Sequence, residues 1–173
     1  MTFRHIVTGL ALCAACVATG AWTRPASAER GSIAALAIGP RVGIGITPDQ
    51  LVLGGHMSFG GFHPDWTLSP IVELGFGDHV TVISLDFDAY YHLHLQDSDW
   101  KPYVGGGISL NNFNFDEAPP FRHSSSTEAG VNVVVGTTIP TSMTAPLFTE
   151  LRIGFGDIPD FHAVVGWNFP LRQ

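Results

Sequence analysis

After Ala37 the sequence keeps no helical repeat and alternates, residue by residue, between apolar and small or polar side chains. The alternation comes in eight runs: Gly39–Thr47, Gln50–Phe62, Trp66–Gly77, Val80–Leu95, Lys101–Phe113, Thr127–Ile139, Ala145–Gly156 and Asp160–Phe169. The separators are turn chemistry, such as Thr47-Pro48-Asp49, His63-Pro64-Asp65, Gly77-Asp78 and Gly156-Asp157-Ile158-Pro159. A period of two is a strand signature, because successive side chains point to opposite faces. Runs of about 9–11 residues can cross a bilayer as tilted strands. An even number of them joined by turns predicts a closed antiparallel barrel.

One face of each run is consistently apolar. In the fourth run Ile83, Leu85, Phe87, Ala89, Tyr91 and Leu93 oppose Ser84, Asp86, Asp88, Tyr90, His92 and His94. In the seventh, Leu147, Leu151, Ile153 and Phe155 oppose Glu150, Arg152 and Gly154. Alternation alone does not say which face is inside. A soluble lipocalin-like carrier of an apolar ligand would turn the apolar face inward. Three features favour the inverse. The polar face is crowded with glycine and poor in lysine, unlike a solvated wall. It carries charges of both signs, which suits an internally paired plug: Arg41, Glu73, Asp86, Asp88, Glu128, Glu150 and Arg152. Trp66, Trp100 and Trp167 share the apolar parity and fall at the same strand ends, as an interfacial girdle would.

Composition narrows the function classes. Hydrophobic residues make up 45% of the chain and charged residues 13%, which excludes an acidic disordered protein. Lys plus Arg is 8 against 15 acids, the wrong balance for a nucleic-acid backbone. Met1–Ala28 reads as a cleaved export signal, with Arg4 and His5 ahead of an apolar stretch and Ala26-Ser27-Ala28 as the cleavage site. Both cysteines, Cys13 and Cys16, lie within it. The remaining domain, 29–173, then has no thiol chemistry and no disulfide.

Two segments resemble a known family. Lys101-Pro102-Tyr103-Val104-Gly105-Gly106-Gly107 is similar to the turn and fifth strand of small OmpA/OmpX-type outer-membrane barrels, and His162–Phe169 to their closing strand. The resemblance implies an all-β, eight-stranded up-and-down transmembrane barrel in the outer membrane, monomeric and surrounded by outer-membrane lipids. It also places residues 112–126 as a long external loop open to a surface partner. The chain departs from the family in continuing past Phe169 with Pro170-Leu171-Arg172-Gln173. The family spans structural, adhesive, pore-forming and lipid-modifying proteins, so the resemblance implies a location before an activity.

Candidate chemistry is sparse. Leu74-Gly75-Phe76-Gly77-Asp78 and Ile153-Gly154-Phe155-Gly156-Asp157 nearly repeat, but a phosphate-cradling loop needs a helix after it, and tight turns explain both. His92 and His94 share a strand face, with His56 and His162 on the same parity, a set that could in principle hold a metal. Arg122-His123-Ser124-Ser125-Ser126-Thr127-Glu128 carries Ser, His and Glu together, the ingredients of a lipid A deacylase. No glycine-flanked elbow accompanies them. The leading expectation is a non-enzymatic barrel with an envelope-structural or surface-interaction role, needing no cofactor.

Overall fold

The computed structural model describes residues 33–61, 63–115, 124–141 and 144–171. The export signal expected over Met1–Ala28 lies outside them. The described chain is all β, and its strands are β1 Ala34–Ile46, β2 Gln50–Gly60, β3 Trp66–Gly77, β4 Val80–His92, β5 Lys101–Phe115, β6 Ser124–Ile139, β7 Leu147–Gly156, β8 Phe161–Trp167 and β9 Phe169–Pro170. Each of the first seven pairs antiparallel with the next. The sheet closes because β1 also pairs with β8, through Arg41↔Gly166 to Ile46↔Phe161. Strand β9 continues the same register along β1, with Ile38↔Phe169 and Ala37↔Pro170. Phe169 and Pro170 therefore continue the closing strand.

Turns follow local chemistry. Asp78-His79 joins β3 to β4 in two residues, with His79 at a φ of 58°. Gly61 and Gly156 end strands at φ values of 100° and 102°, where a Cβ would be strained. The connections divide between two ends. Both described termini, the ends of β2, β4 and β6 and the starts of β3, β5 and β7 lie at one end, called here the termini end. Segments 47–49, 78–79 and 157–160, with the end of β5 and the start of β6, lie at the other, the hairpin end.

Several expected boundaries move, and β4, expected to reach Leu95, ends at His92, so His94 lies beyond it. Strand β5 runs on to Phe115 and β6 begins at Ser124, paired through Asn112↔Thr127, Phe113↔Ser126, Asn114↔Ser125 and Phe115↔Ser124. Residues 112–115 and 124–126 of the expected loop are thus paired strand, and its remaining residues 116–123 lie outside the described ones. The reason is visible on the outward face. Asn112 donates to Thr127 at 2.8 Å, and Asn114 donates to Asn112 at 2.8 Å. Both strands continue after their outward side chains turn polar. Strand β1 begins earlier than Gly39, because Ala34–Ile38 is small or apolar on both faces and shows no alternation.

Polarity is inverted relative to a soluble barrel. Ile108 is 58% exposed, Phe87 50% and Leu151 50%, all on the outer wall. Arg41, Glu73, Asp86, Asp88, Glu150 and Arg152 are buried inside. Interior glycines leave room for rings. A Cβ on Gly166 would stand 2.5 Å from Phe148 Cζ, and one on Gly136 would stand 2.5 Å from Tyr103 Cζ.

Candidate functional site

The barrel interior holds every strongly buried charge among the described residues, and register decides which of them meet. Arg41 on β1 faces Glu73 on β3 and Glu150 on β7. Its Nε lies 2.6 Å from Glu73 Oε1, and its Nη2 donates to Glu150 Oε2 at 2.6 Å. Arg152, two residues after Glu150 on the same face, reaches across to β4. Its Nη1 lies 2.9 Å from Asp86 Oδ2 and its Nη2 donates to Asp88 Oδ2 at 2.7 Å. A guanidinium serves two carboxylates at once because its donors form a rigid fork. Asp86 and Asp88 present themselves together because residues i and i+2 share a strand face.

Neutral donors extend the network. Tyr103 Oη donates to Glu150 Oε1 at 2.8 Å, and Tyr90 Oη donates to Asp88 Oδ2 at 3.0 Å. Ser109 donates to Asp86, Asn111 Nδ2 donates to Ser109 at 2.8 Å, and Ser84 Oγ donates to Asn111 Oδ1 at 2.5 Å. The Arg41 guanidinium also stands 5.7 Å over the Phe148 ring. Sequence reasoning placed Tyr90 on the polar face but missed it as a partner of Asp88, and missed Tyr103, Ser109 and Asn111. Their inward parity was the available signal. Which neighbour each would reach depends on the strand stagger, which a single sequence does not display.

One expected member stands apart. Glu128 lies on the inward parity of β6 toward the hairpin end, where Ser126 Oγ donates to it. It has no described ion pair with either arginine of the network. That contact also bears on the expected Ser–His–Glu grouping: Ser126 meets the carboxylate directly, while Arg122 and His123 lie outside the described residues. Of the four histidines considered for a metal, His162 lies toward the hairpin end and the other three toward the termini end, and each has other partners. His56 Nε2 bonds Asn168 Oδ1 at 2.7 Å, Gln50 Nε2 bonds His162 Nε2 at 3.1 Å, and His92 Nε2 bonds Thr67 Oγ1 at 2.9 Å. His94 Nδ1 lies 3.5 Å from Asp65 at the rim.

The two mouths differ. At the hairpin end Val80, Val82 and Phe113 pack together inside the wall. At the termini end a cavity of about 200 Å3 opens above the Tyr103–Glu150 contact. Around the outside of that end stand Trp66, Trp100 and Trp167, with Tyr91 packed 5.4 Å from Trp66. Among the described residues the outward aromatic side chains toward the hairpin end are phenylalanines, Phe76, Phe155 and Phe161.

No family model matches this sequence, and no curated protein does. Solved structures do. The N-terminal β-barrel domain of Pseudomonas aeruginosa OprF aligns with a TM-score of 0.66 at 17% identity, over 79% of this chain and 97% of that one. Neisserial surface protein A aligns with a TM-score of 0.59 at 15% identity, over 79% of this chain and 97% of that one. At these identities the likeness establishes the fold: a closed eight-stranded barrel of the outer-membrane type.

Proposed function

We propose that this chain is a non-enzymatic, monomeric, integral outer-membrane protein whose barrel is a structural element of the envelope. The observation that carries the reading is the inverted polarity. Apolar side chains cover the outer wall, while six charges are paired within. In water that wall would expose a continuous apolar belt, far beyond the isolated patches of soluble monomers. In a bilayer it is the solvated surface, and closure leaves no unpaired strand edge in the hydrocarbon. The likeness to two outer-membrane barrels supports the same compartment.

Within that reading the termini face the periplasm, and the girdle of Trp66, Trp100 and Trp167 sits at the inner interface. The lipid of the outer membrane is the principal partner. The paired interior and the packed Val80, Val82 and Phe113 favour a plug over a conducting pore.

Fractionation tests the proposal. The protein should leave outer membranes only with detergent, and should run differently on a gel before and after heating. Release by osmotic shock as a soluble species would overturn it. Lipid A should have the same mass with and without the protein. A lost acyl chain would establish a lipid-modifying enzyme instead. The mature N-terminus should read Glu29, whereas recovery of Trp22 in the mature chain would exclude the cleaved signal.

A further inference from the structure

The cavity at the termini end has a composition that the structural role does not require. We infer that it is a binding site for a small organic ammonium ion free in the aqueous phase.

Rings line it from several strands. Tyr90 and Tyr103 lie 5.1 Å apart with planes tilted by 44°, and His92 stands 5.6 Å from Tyr103. Across the cavity, His56 meets Phe148 edge-on at 5.0 Å. Aromatic rings attract cations to their faces through the ring quadrupole. Phe148 already does so on another side, where it receives Arg41.

The charge balance selects the sign of the ligand. Among the described residues no lysine or arginine lines the cavity, and the one carboxylate lining it is that of Glu150. Glu150 accepts from Tyr103 and from Arg41. A carboxylate has about four acceptor positions, so capacity is left over. The network below contains four carboxylates and two arginines, an excess of negative charge in a low-dielectric interior.

Size selects the class. About 200 Å3 falls below the usual range for whole drug-like ligands, so the cavity suits one compact head group. Ser58, Thr67 and Thr138 supply hydroxyls around it for a polar substituent.

Choline chloride is a direct probe, and 3,3-dimethyl-1-butanol is its uncharged analogue of the same shape. Each would be titrated into the full chain in maltoside micelles, followed by NMR, with sodium chloride holding ionic strength constant. Choline should give saturable shifts confined to the cavity residues, at least tenfold tighter than the alcohol. Thr138→Phe fills the space from β6 and should weaken choline at least tenfold while the heat-dependent gel mobility persists. If that variant does not fold, Ser58→Leu blocks the same cavity from β2 and should have the same effect. Equal affinity for choline and the alcohol, or undiminished choline binding in a folded blocking variant, would overturn the assignment.

Discussion

Arg152 holds two carboxylates of one strand, and its removal leaves Asp86 and Asp88 buried without their cation. Breaking a buried pair by deleting one partner costs roughly 3–5 kcal/mol. Lys101, exposed at the start of β5, should contribute under about 1 kcal/mol. Arg152→Ala is therefore expected to lower the urea midpoint of the folded protein strongly, and Lys101→Ala to leave it near its original value. Equal midpoints would mean that Arg152 is solvated. Tyr103→Phe removes one charge-assisted hydrogen bond to Glu150 while keeping the ring, and should cost about 1.5–3 kcal/mol by the same measurement. Sequence parity was enough to place these residues on one face. It was not enough to match Arg41 with Glu73 and Glu150, because height within a barrel follows from stagger between strands. The histidines show the same limit: parity grouped His56 with His162, but register sets them toward opposite ends, bonded to Asn168 and Gln50.

Among the elements, the seam between β1 and β8 depends on a missing side chain. A Cβ on Gly39 would overlap the backbone carbonyl of Trp167. Backbone cannot yield as a flexible side chain can, so Gly39→Ala should weaken closure by roughly 1–3 kcal/mol. Gly55→Ala, whose nearest neighbour would be Gly39 O at 3.5 Å, is the matched control and should fold normally. The unheated fraction on a gel distinguishes them. At the rim, Trp100→Ala and Trp167→Ala should each reduce the yield of folding into bilayers modestly, since an amphipathic ring is lost from the interface. Strands were legible wherever one face was apolar and the other was not. The hairpin extension Asn114–Phe115 with Ser124–Ser126 was hidden because the outward Asn112 and Asn114 are polar while Phe113 is buried inside, so the hydropathy pattern reverses phase while pairing continues. Ala34–Ile38 was hidden for the opposite reason, being small or apolar on both faces.

For the whole molecule, inside and outside are exchanged relative to a water-soluble barrel, and function follows from that exchange. The packed Val80, Val82 and Phe113, with the ion pairs behind them, should keep planar bilayers containing the protein free of stepped single-channel currents. The most direct measurement labels the outer wall. Single cysteines at Ile83, Leu85, Phe87 and Ala89 on β4, introduced into the cysteine-free segment 29–173, would carry spin labels in lipid vesicles. The labels at Leu85 and Phe87 should collide readily with dissolved oxygen and hardly at all with a water-soluble nickel chelate, and nickel access should rise only toward the strand ends. Free nickel access at all four positions would place this wall in water and contradict the membrane barrel.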